Sequence, residues 1–150
     1  MHVSQKSQYA LRAIFELSKY YGQQDPVKIT AIAQSQYIPE KFLEVILSQL
    51  KHSGIVSSRR GKNGGYYLAK HPRSISISEV LNFTQGVYNP VACIEDVSGK
   101  QCPRDGDCVF LPIWEEAREA VTAVYDSVTF QDLLDREREK QQKLSFCYTI

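Results

Sequence analysis

No apolar run in the chain approaches the ~20 residues that a membrane-spanning helix needs. The opening stretch MHVSQKSQYALRA also lacks the pattern of a cleavable secretory leader. A cytoplasmic protein with no membrane partner is the expectation. No internal repeat and no low-complexity segment is present. Histidine is scarce: His2, His52 and His71 fall at the terminus, at a helix end and after a basic hairpin. None stands in a nucleophile–base set, so an enzyme is not expected. Net charge is nearly absent as well, at +1, and gives by itself no reason to expect nucleic acid.

The chain has 150 residues, 43% of them hydrophobic, enough for one cored domain or for one domain with a helical extension. Its charge is unevenly distributed. Between Lys41 and Arg73 there are seven Lys/Arg and one acid, Glu44; from Cys93 to Ile150 seven Lys/Arg face twelve Asp/Glu. A basic patch beside an acidic body fits a DNA-binding module, and equally a solvated surface of uneven charge.

The basic segment also carries a pattern. Leu43, Ile46, Leu47 and Leu50 recur at i, i+3, i+4 and i+7, one face of a helix, while Lys41, Glu44, Ser48 and Lys51 fall on another. Pro39 suits the first turn and Gly54 the stop. Ile55–Ser58 and Tyr66–Leu68 read as short strands around the loop Arg60-Gly61-Lys62-Asn63-Gly64-Gly65. With a first helix over roughly 4–21 and a short second one around Ile29, Ile32 and Ala33, the expectation is a mostly α winged helix-turn-helix with a small two-stranded wing.

In such a module a helix presents side chains to base edges in the major groove. Lys41 can reach phosphate or guanine, Glu44 can accept from a cytosine amino group, and Ser48 shares their face. The wing offers Arg59, Arg60, Lys62, Asn63 and Gly64 on a narrow hairpin suited to a minor groove. Its glycines permit positive φ or a close backbone approach. The alternative is an ordinary solvent-facing helix and turn.

Ser76-Ile77-Ser78-Glu79 has the form of a capping box opening a helix to Gln85. Residues 87–109 read as irregular and hold Cys93, Cys102 and Cys108; Cys147 lies far off. The three lack the paired C-x2-C of zinc ribbons and the tight spacing of ferredoxins. Three thiolates on one loop suit a soft metal centre, iron–sulfur or zinc, or else remain unliganded thiols. Beyond them Phe110, Trp114, Ala117, Val121, Val124 and Val128 form an a/d seam, for a partner helix or for the chain's own core. Thr129-Phe130-Gln131-Asp132 resembles another cap before a charged run. The expected division is a DNA-binding domain over 1–86, a cysteine-bearing sensor loop over 87–109, and a long C-terminal dimerisation helix with a tail over 110–150.

The opening SQKSQYALRAIFELS, the segment IAQSQYIPEKFLEVILSQLKHSGIVSS, the wing RRGKNGGYYLA, the helix ISISEVL and the three cysteines together resemble the Rrf-two family of bacterial winged-helix transcription regulators, and within it the iron–sulfur-sensing types. The resemblance covers the chain to about Asp135. It implies homodimers formed through the long helix, each subunit binding half of a quasi-palindromic DNA operator. It implies Cys93, Cys102 and Cys108 as ligands of an iron–sulfur cluster, of 2Fe–2S or 4Fe–4S type, that controls operator binding. Glu44 and Arg60 match positions used in DNA reading. The fourth ligand departs from the family. One type places a histidine three residues after the last cysteine, where this chain has Leu111; another uses an acid on the first helix, matching Gln8 here, so that Asp105, Asp107, Cys147, water or a small thiol would have to substitute. A second possibility keeps the DNA binding and gives the cysteines zinc or thiol-redox chemistry without iron.

Overall fold

The computed structural model describes residues 2–91 and 108–147, with side chains described through residue 144. Cys93, Cys102 and most of the expected sensor loop lie outside the described residues. Six helices and one two-stranded sheet make up the described fold.

Helix α1 (Gln5–Lys19) is the axis of the core. Ser4 caps it, its hydroxyl accepting from the Ser7 N–H. Ala10, Ala13, Ile14 and Leu17 form a fully buried stripe. Against it pack α2 (Ile29–Gln36) and α3 (Glu40–His52). Between the two stands Tyr37 in the left-handed region, at φ 51°, its N–H closing the end of α2. Pro39 is the cap residue of α3, one place ahead of the expected first turn, and its carbonyl accepts from Phe42 and Leu43. Leu43, Ile46, Leu47 and Leu50 are buried, as their spacing predicts. Glu16, buried on α1, is partnered by the Gln36 amide at 2.7 Å and by Lys19 at 3.4 Å.

Strands β1 (Val56–Arg59) and β2 (Gly65–Leu68) pair antiparallel, Val56 opposite Leu68 and Arg59 opposite Gly65. Each lies one residue nearer the turn than the sequence suggested, because Arg59 and Gly65 close the hairpin. The segment before α2 touches β2 at one point: Val27 and Tyr66 exchange two N–H···O bonds of 2.8 Å. That approach requires glycine at 65, where an added Cβ would stand 2.4 Å from the Val27 carbonyl oxygen. Gly64 is equally confined, since a Cβ added there would stand 2.5 Å from the Arg59 carbonyl oxygen; only Gly61 in the wing has positive φ. The close approach made by Gly64 and Gly65 is thus to the chain's own backbone.

Helix α4 (Ile77–Gln85) is capped by the Ser76 hydroxyl and ends at Gly86, φ 87°. The expected reciprocal half of its box is absent, since Glu79 reaches Lys70 instead, at 2.7 Å. The complete box belongs to α6 (Phe130–Cys147): Asp132 accepts from both the N–H and hydroxyl of Thr129, and the Thr129 hydroxyl accepts in return. Helix α5 (Leu111–Ser127) packs on α4 and has no fully buried residue. The segment between α5 and α6 runs beside the one before α4, Ile77 N–H bonding Val128 and Phe130 N–H bonding Ile75. This docking delivers Phe130, fully buried, into the same core as α1 and α3. No described helix is long and apolar enough to cross a membrane.

Candidate nucleic-acid interface and cysteine segment

The outward side of α3 and the inner strand of the wing face each other across a cleft of about 470 Å³, lined by Glu44, Val45, Ser48, Gln49 and Tyr66. The core stripe of α3 fixes this orientation: with Leu43, Ile46, Leu47 and Leu50 turned inward, residues 44, 45, 48 and 49 have to face out. Glu44 and Ser48, singled out by their spacing, are therefore brought together. Val45, Gln49 and Tyr66 were not expected there. The helical period puts both Gln49 and Val45 on that side, but Val45, being apolar, carries no hydrogen-bonding signal that would single it out. Nothing in the local sequence assigns Tyr66 to the cleft, because the strand pairing puts it there.

The cations of this region divide into held and free. Lys70 is paired with Glu79. Arg59 folds back to Asp25 at 3.3 Å and to the Gln24 and Asn63 carbonyls at 3.4 and 3.3 Å. Lys41, Arg60 and Lys62 are exposed, and among the described residues none of them forms an ion pair. Free cations on a protruding hairpin and at the start of a helix suit phosphate oxygens, which need charge more than shape. Asn63 and Gly64 line a smaller cleft with Asp25, Pro26 and Lys28, where the wing meets the start of α2. Lys28, not expected from the sequence, thus stands beside the wing.

Of the three clustered cysteines only Cys108 is described. It is half-exposed and forms no disulfide among the described residues, and its carbonyl accepts from the Leu111 N–H as the chain enters α5. A thiol on a half-exposed residue at the mouth of α5 is a soft donor suited to a metal. The two candidate fourth positions do not fit iron. Leu111 has no donor atom, and Gln8, whose Nε2 donates to the Val3 carbonyl at 2.9 Å, offers only a neutral amide oxygen, a poor ligand for iron beside thiolates.

The seam expected on α5 is divided. Trp114, Ala117, Val121 and Val128 are half-buried, whereas Phe110 and Val124, with Ile113 beside them, are 54–60% exposed.

A turn-linked helix pair, an outward polar helix face and a basic hairpin next to it define a winged helix-turn-helix DNA-binding protein. The Rrf2 family, described as iron-dependent transcriptional regulators, matches residues 3–136. The chain belongs to that family, and its members are transcription regulators rather than enzymes. It is 32% identical to the HTH-type transcriptional regulator CymR of Bacillus subtilis over 97% of this chain and 99% of that protein. Among solved structures it is similar to IscR of T. potens, with a TM-score of 0.73 at 29% identity, covering 94% of this chain and 91% of that one. It is also similar to CymR, the global cysteine regulator of B. subtilis, with a TM-score of 0.72 at 32% identity, covering 91% and 98%.

Proposed function

We propose that this regulator acts as a homodimer on an operator duplex, reading bases with Glu44 and Ser48 and holding phosphates and a minor groove with Lys41, Arg60 and Lys62. Asn63 and Gly64 shape the wing tip, and Arg59 braces its foot. The observation that carries this reading is the cleft that joins the outward face of α3 to the wing, on a helix and a hairpin whose exposed Lys41, Arg60 and Lys62 form no ion pair among the described residues. The exposed apolar edge of α5, Phe110, Ile113 and Val124, supports a second copy as its cover.

Cys93, Cys102 and Cys108 would hold an iron–sulfur cluster, and the half-exposed Cys108, in no disulfide among the described residues, is compatible with that role. When bound, such a group supplies chemistry that oxidants and nitric oxide can damage. Around it the chain's own residues transmit position: the cysteines follow α4 and precede α5. Ser7 on α1 is bonded to Thr84 and Gln85 of α4 at 2.8 and 2.9 Å, so a displaced α4 pulls on α1, which packs against α3.

The test is anaerobic purification with iron and sulfide quantified per chain, followed by operator binding of wild type and Cys102→Ala. Stoichiometric iron and sulfide, with an affinity that changes on substitution, are expected. An iron-free wild type, or an affinity indifferent to Cys102, would remove the cluster from the account. The likeness to CymR, which in Staphylococcus aureus has a solved oxidized form, favours a second reading, in which the thiols themselves respond to oxidation. Iron-free protein whose operator affinity moves reversibly with oxidant and reductant would select it.

A further inference from the structure

We infer that Val45 reads the operator by seating the 5-methyl group of a thymine, a role that rests on the DNA-binding reading above and sharpens it. Helix α3 turns its buried stripe into the core and shows Lys41, Glu44, Ser48, Gln49 and Lys51 to the outside. Val45 interrupts this polar face. It is β-branched and 57% exposed, at a mid-helix position where alanine or a straight polar chain would favour the helix more. It lines the cleft toward the wing together with Glu44, Ser48, Gln49 and Tyr66.

The chemistry of a duplex edge supplies the complement. In the major groove the base pairs present donors, acceptors and one kind of apolar group, the thymine methyl. The Glu44 carboxylate matches a cytosine amino group, and the Gln49 amide matches adenine, but neither gains from a methyl. An aliphatic side chain held among them on a rigid helix does. Phe42, 64% exposed, lines only the neighbouring groove with Tyr9 and Ile46, whereas Val45 stands on the ridge between that groove and this cleft and borders both.

Duplexes bound by the full-length protein are to be selected from a random pool, and each thymidine of the selected site replaced in turn by deoxyuridine, which removes only the methyl. Wild type is expected to lose about three- to fivefold in affinity at one position per half-site, the worth of one buried methyl. Val45→Ala should lose a similar factor on the unmodified duplex and nothing more at that deoxyuridine. Val45→Ile should keep the penalty. Because no phosphate contact changes, the salt dependence of all three should coincide. The inference is overturned if no deoxyuridine weakens wild-type binding, or if Val45→Ala retains the full penalty. Recovery of no duplex at all would overturn the DNA-binding reading with it. A recovered duplex bound with an Arg60-dependent salt slope but indifferent to methyls would overturn this inference alone.

Discussion

Arg59 Nη2 lies 3.3 Å from Asp25 Oδ1 and equally far from the Asn63 carbonyl oxygen, so one guanidinium ties the approach to α2 to the turn of the wing. Its neighbour Arg60 has no such tie. Asp25 is 90% exposed at its side chain, which makes the pair weak as a source of stability. Asp25→Ala is expected to change stability by less than about 1 kcal/mol. It should also free Arg59 for the duplex, steepening the salt dependence of operator binding by up to about one unit. Arg60→Ala should make that slope shallower by about the same amount. Urea unfolding and binding at graded salt check both; an unmoved slope for Arg60→Ala would mean that the wing stays off the DNA.

Gly65→Ala puts a methyl 2.4 Å from the Val27 carbonyl oxygen, which is backbone and cannot swing aside. A loss of about 1–3 kcal/mol in urea unfolding is expected, as for other overpacked sites. A variant as stable as wild type would show that the Val27–Tyr66 bridge is dispensable.

Phe130→Ala removes a fully buried ring from the core and is expected to cost about 3–5 kcal/mol. Phe110→Ala, at a site 55% exposed, should cost far less in dilute monomer while weakening self-association. Denaturation and sedimentation separate the two effects.

Tyr37→Gly relieves a left-handed residue whose side chain, 88% exposed, contributes little packing. A gain of up to about 1 kcal/mol is expected. A loss instead would mean that the ring makes contacts worth more than the backbone relief.

Asp132 accepts from the hydroxyl and the N–H of Thr129, which hold its carboxyl below the ordinary value of 3.8. A lowered folded value stabilises the protein above the unfolded pKa, and that contribution is lost as pH falls through the folded one. The melting temperature of wild type should therefore drop more steeply below about pH 4 than that of Asp132→Ala. Parallel curves would show that the cap does not depend on charge.

Much of the DNA-reading half was legible because its signals are local. The stripe from Leu43 to Leu50, the Ser76 cap and the basic hairpin each declare themselves within a few residues. What escaped was set by distant pairing. Glu79 left its capping role because Lys70, nine positions back, reached it first. Phe130 looked like part of a cap, and only the pairing of Val128–Phe130 with Ile75–Ile77 turns it into core. The α5 seam divides because α4 takes one side of it, and a heptad count does not say which side faces inward.

The single-point bridge from Val27 has one more effect. With both its N–H and its carbonyl engaged by Val27, Tyr66 leaves the outer rim of β2 without a free template at its middle. Stray strands from neighbouring molecules find no place to zip on, so a hairpin thrust out into solvent is guarded there against aggregation.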